Sequence, residues 1–145
     1  MSLLDRIRRG EYVPDRGGES LAGLTLSLAE VARRIGSGAG TMPTVRDFLD
    51  QAGRRTDGEL ASLIRERPEL TGDVKADALV AGIAEHLSAT RGLPCPSWVR
   101  EDERFLDRFW FVSETPGFRA IALAQSPIAL KRRGVLWPAR SLERV

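Results

Sequence analysis

The chain has 145 residues, 42% hydrophobic and 29% charged, which suits one soluble domain with a core of its own and excludes a disordered chain. A lone Cys95 and a lone His86 exclude an internal disulfide and a Cys/His zinc set. The net charge of +2 is unevenly spread: residues 115–145 carry Arg119, Lys131, Arg132, Arg133, Arg140 and Arg144 against Glu143, a net +5, leaving −3 for residues 1–114. Such asymmetry points to a basic face that meets phosphate or a carboxylate-rich partner, or to cations that solvate a helix end.

No apolar run approaches the ~18 residues of a membrane span, and Asp5, Arg6, Arg8 and Arg9 break up the N-terminal apolar pieces, so no secretory signal is expected. The expected location is the cytoplasm, with no membrane contact.

In chain order, Ser2 caps a short predicted helix, Leu3 to Arg9, which stops at Gly10, and Glu11 to Glu19 reads as a loop. Leu21, Leu24, Leu28, Val31, Ala32 and Ile35 keep the three-and-four spacing of an amphipathic helix from Ser20 to Ile35. Gly36 to Gly40 then reads as a flexible linker. It follows a helix and lacks a G-K-[ST] ending, which argues against a phosphate loop. Residues 1–42 are therefore expected to form a helical arm and linker, and residues 43–145 the main helical domain.

Short helices are predicted from Val45 to Ala52 and from Glu59 to Arg67, the second capped by Asp57 and closed by Pro68. The six residues from Gly53 to Gly58 are long for the turn of a DNA-binding helix-turn-helix. Val74 to Thr90 is the expected central helix, with Ala76, Leu79, Val80, Ile83, Ala84 and Leu87 inward and Lys75, Asp77 and Glu85 outward. His86 borders that stripe without a recognisable nucleophile, and Cys95 sits between Pro94 and Pro96 without a C-x-x-C partner, so neither is read as catalytic.

Six of the nine aromatic residues fall between Trp98 and Phe118. Phe105/Phe109 and Leu106/Trp110 are i, i+4 pairs, which predicts a short helix with Phe105, Leu106 and Phe109 toward the core and Trp98 and Trp110 toward a contact face. Further helices are expected from Thr115-Pro116 to about Gln125 and from Ile128 to Arg133, with Val135 to Trp137 extended because Trp137 precedes a proline. The sum is an all-α, mostly helical bundle of seven or eight short helices, with one short extended segment near the C-terminus.

From about Val45 onward, the runs D-F-L-D, R-P-E-L-T-G-D, A-D-A-L-V-A-G-I-A-E-H-L, G-L-P-C-P-S-W, R-F-L-D-R-F-W-F-V-S and S-P-I-A-L-K-R-R-G-V resemble a helical domain of small, mostly actinobacterial proteins. Some of these are similar to toxin–antitoxin antitoxins or transcriptional regulators and carry the domain behind a Xre-type helix-turn-helix. The likeness covers roughly two thirds of the chain and is most specific from Arg104 to Ser113. Residues 1–42 show no such helix-turn-helix.

What the resemblance implies is a non-enzymatic module that binds a protein partner, such as a nucleotidyltransferase-like toxin encoded by a neighbouring gene, with no cofactor and no metal. On that basis Glu101, Asp102, Glu103 and Asp107 are the expected acidic contacts to a basic active site, and Trp98, Trp110 and Trp137 the expected anchors. The alternative is a nucleic-acid-binding regulator that places Arg119, Lys131, Arg132, Arg133 and Arg140 on phosphates. No residue is read as catalytic.

Overall fold

The structure, a computed structural model, describes residues 25–143; the helix expected from Leu3 to Arg9 and the loop after it lie outside them. The described residues are mostly helical, with seven α-helices and one two-stranded sheet.

Helix α1 spans Leu28–Gly36 and starts later than its apolar spacing predicts. Ser27 is the N-cap, its hydroxyl accepting from the Glu30 amide at 3.1 Å, and residues 25–27 ahead of it are not helical. The S-x-x-E spacing of Ser27 and Glu30 is a helix-start pattern that the continuous leucine periodicity obscured. Leu26, buried beside the cap, donates its amide to Gln51 Oε1 at 3.0 Å.

Helix α2, Thr41–Ala52, begins four residues ahead of the expected Val45. Pro43 stands in its first turn, where an amide is unpaired in any helix and its absence costs nothing. Helix α3, Asp57–Arg65, is capped by Thr56 in a reciprocal box with Glu59, and Glu66 leaves it in an extended conformation. Helix α4, Val74–Arg91, is the predicted central helix: Asp73 caps its start and Gly92, at φ +65°, ends it. Every residue from Ala76 to Ala84 is buried, so its neighbours surround it instead of covering one stripe. Asp77, expected outside, is among them, and its Oδ1 accepts from the Thr71 amide and hydroxyl, each at 2.9 Å.

After the Pro94–Pro96 turn come two short 3-10 turns, Ser97–Arg100 and Asp102–Arg104. The helix expected through Phe105 and Phe109 does not form. Instead β1, Trp110–Phe111, pairs in parallel with β2, Val135–Leu136. Parallel strands need a long crossover, supplied by α5, Phe118–Gln125, and α6, Ile128–Lys131. Helix α6 is two residues shorter than expected, and a short α7, Ala139–Leu142, follows β2.

The core runs through α1, α2, α3, α4, the 3-10 segment, α6 and β2, so the described end of the N-terminal segment packs on the same core as the rest. Helices α4 and α6 approach closely at Gly82, where an added Cβ would lie 2.3 Å from Leu130 Cδ2. Gly134 holds φ +86° at the entry to β2, with the Arg108 carbonyl and Leu106 Cβ each 3.2 Å from where its own Cβ would stand. No helix among the described residues is long and apolar enough to cross a membrane.

Candidate functional site

The segment from Trp98 to Val112 is held in place by two arginines that are fully buried, Arg104 and Arg133. A buried guanidinium must satisfy its fixed fork of donors or suffer a large desolvation cost. Arg133 donates from Nε to the Ala129 carbonyl at 3.0 Å and from Nη1 to the carbonyls of Val99 at 2.7 Å and Arg104 at 3.3 Å. Its Nη2 donates to Glu85 Oε1 on α4. Burial pulls the Arg133 pKa down while Glu85 opposes it, and the group stays charged in the working range of any protein.

Arg104 donates from Nε to Glu101 Oε1 at 2.8 Å and from Nη2 to the Pro68 carbonyl at 2.6 Å, while its Nη1 is buried without a partner. Its guanidinium lies 4.8 Å from the Trp98 ring centre. Trp98 in turn donates from Nε1 to the Ile64 carbonyl at 3.1 Å. The Arg133 guanidinium lies 4.6 Å from the centre of the Phe105 ring.

These contacts redistribute the expected contact residues. Trp98 is 6% exposed and Trp137 4%, so both are core residues and offer no anchor at the surface. Trp110 is half-buried against the core, with Lys75 over its ring at 5.7 Å. Phe109, expected inside, is 67% exposed. The reversal follows from the strand: period two, not period 3.6, governs residues 109–112, turning Trp110 and Val112 inward.

Among the acids, Glu101 is engaged within the chain, accepting from Arg104 and, at Oε2, from Arg67 Nε at 2.7 Å. Burial works against the Glu101 carboxylate, but the Arg67 and Arg104 hydrogen bonds outweigh it and hold its pKa below the usual range. Asp102, Glu103 and Asp107 are exposed and make no ion pair within the described residues. Asp102 and Glu103 directly precede the buried Arg104 and Asp107 follows it by three residues, an acidic ledge along this stretch of the chain.

The expected basic set is dispersed. Arg133 is buried and cannot reach a phosphate. Arg132 binds Glu85 Oε1 at 3.1 Å with its side chain 43% exposed, and its guanidinium stands 5.7 Å from the Phe105 ring. Arg119 lies over the Phe111 ring at 4.6 Å, Lys131 is half-buried and Arg140 is exposed on α7. The buried role of Arg133 escapes the sequence because K-R-R before a glycine reads as a solvated helix end.

His86 lines an open cavity of ≈ 260 Å³ together with Leu49, Ala52, Leu87, Thr90 and Glu143. Burial lowers its pKa, with Glu143 pulling the other way. The Thr90 hydroxyl donates to the main-chain carbonyl of His86 at 3.0 Å, not to the imidazole. Cys95 is exposed and lines a second cavity of ≈ 250 Å³ with Arg65, Ser97 and Trp98. Among the described residues no group of three or more His, Cys, Asp or Glu is placed to hold a metal ion.

No family model, curated protein or solved structure matches the chain.

Proposed function

We propose that this chain is a non-enzymatic, antitoxin-like protein-binding module that acts in the cytoplasm. The observation that supports it is the acidic ledge: Asp102, Glu103 and Asp107 stand free on a backbone fixed by the buried Arg104 and Arg133. Carboxylates presented from an ordered backbone lose little freedom on binding, and they complement a partner site lined with basic groups. A nucleotidyltransferase-like toxin has such a site, since it must attract the phosphates of its nucleotide. The contact face is then the ledge itself, without Trp98 or Trp137.

The test is co-purification and growth rescue with the product of the adjacent gene. A complex is expected, and Asp102→Asn, Glu103→Gln and Asp107→Asn together should weaken it by about tenfold or more while melting is unchanged. No complex and no rescue on co-expression would sink the proposal. The nucleic-acid alternative has less support, because Arg133 is sequestered and Arg132 is already paired with Glu85. Gel-shift binding that falls steeply with salt and depends on Arg119, Lys131 and Arg140 would favour it.

A further inference from the structure

The cavity of ≈ 260 Å³ beside His86 is closed by three elements: the last turn of α2, the last two turns of α4 and the end of α7. Each element meets it with its carbonyl end. Carbonyls left over where a helix finishes carry a partial negative charge, so α2 and α4, ending at one cavity, make its potential negative.

The side chains keep that sign. Arg91 is a cation at the wall, but its Nε donates to Asp57 Oδ1 at 2.7 Å and its Nη2 to the Arg55 carbonyl at 2.8 Å, so Asp57 offsets its charge. Glu143 is exposed and makes no ion pair within the described residues. Burial holds the His86 imidazole below its ordinary pKa and so neutral at pH 7, and its ring nitrogens take no hydrogen bond within the described residues. The Thr90 hydroxyl, which donates to the His86 carbonyl, keeps a lone pair for an incoming N–H. Apolar side chains complete the wall: Leu49, Ala52 and Leu142 are buried and Leu87 is half-buried. A cavity with an apolar wall and a few convergent polar groups is the usual form of a small-molecule site.

We propose that this cavity binds a small primary amine, with its ammonium on the Glu143 carboxylate, His86 and Thr90 as further acceptors, and its apolar body against Leu49, Leu87 and Leu142. An anion would meet both Glu143 and the carbonyl ends of the helices, which excludes a carboxylate or phosphate as the ligand. A metal ion would find too few hard ligands, since Glu143 is the single carboxylate lining the cavity. Size limits the amine as well. At ~30 Å³ for each water-sized group the cavity takes roughly eight or nine non-hydrogen atoms, the size of an arylethylamine. The site shares no residue with the acidic ledge, so it stands or falls separately from the toxin reading.

Phenethylamine is the probe, titrated into the full chain at pH 7 and followed by calorimetry and by the ring-proton signals of His86. It should bind saturably with a dissociation constant of about 1 mM or tighter, and the His86 signals should move with occupancy. The neutral isostere 2-phenylethanol should bind at least about threefold more weakly, and phenylacetate should not bind. Glu143→Gln, at an exposed position, should leave melting unchanged and weaken the amine by about threefold or more. No saturable binding up to about 10 mM overturns the proposal. So does phenylacetate binding as tightly as the amine, or an amine affinity indifferent to Glu143→Gln.

Discussion

Arg133 Nη1 donates to the carbonyl oxygen of Val99 at 2.7 Å, joining the turn between α6 and β2 to the 3-10 turn that carries Trp98. The same guanidinium holds Glu85 on α4, so three separate parts of the chain meet on one side chain.

Removing that side chain takes the donor from three carbonyls and leaves the Glu85 carboxylate with Arg132 alone. Arg133→Ala should cost about 3–5 kcal/mol in urea or thermal unfolding, as breaking a buried charge pair does. Arg132→Ala, whose side chain is 43% exposed, should cost no more than about 1 kcal/mol. Equal effects from the two would mean that Arg133 is not the buried member.

Trp98 separates bulk from hydrogen bonding. Trp98→Phe keeps an aromatic ring under Arg104 but loses the donor to Ile64, and should cost about 0.5–1.5 kcal/mol plus any repacking. Trp98→Ala should cost about 3–5 kcal/mol. A tryptophan acting as a surface anchor would instead leave melting unchanged on truncation.

The Gly82 contact is tested by adding one methyl group. Gly82→Ala places a Cβ against Leu130, and the overpacking should cost about 1–3 kcal/mol. Trimming the neighbour with Leu130→Ala in the same chain should recover part of that loss, giving a favourable coupling in a double-mutant cycle.

Acid should weaken the fold in two stages. The folded-state pKa of His86 is lowered, so the unfolded chain binds its proton first: stability is full above about pH 6.5 and declines as pH falls from there toward the folded value. Glu101, also lowered, holds its contribution until pH falls through about 4.3, and loses it below that. His86→Gln should remove the upper slope and leave the lower one. Melting temperature followed across pH in both proteins reads this directly.

The sequence displays its helices where a local rule sets them. Asp73 and Gly92 bracket α4, because caps and stops act within a few residues, whereas at α3 Asp57 reads as the cap although Thr56, one residue earlier, fills that place in a box with Glu59. The strand at Trp110 was hidden because its partner lies at Val135, across two helices, while Phe105/Phe109 and Leu106/Trp110 mimic a helical stripe by chance of spacing. Of the proposed contact residues, exposed Asp102, Glu103 and Asp107 were legible as charges in a loop-rich stretch. Trp98 and Trp137 are buried where the sequence suggests anchors, since an aromatic side chain signals core and interface alike and only the tertiary surroundings separate them.

The link between Glu85 and Arg133 also orders events during synthesis. The two residues are 48 positions apart, so at roughly 5–20 residues per second the ribosome delivers the guanidinium several seconds after its carboxylate. Over that interval α4 waits with one charge uncompensated and β1 with no strand to pair. The nascent chain is therefore most open to capture by chaperones, proteases or a partner while residues 98–112 are made and their fastening is not.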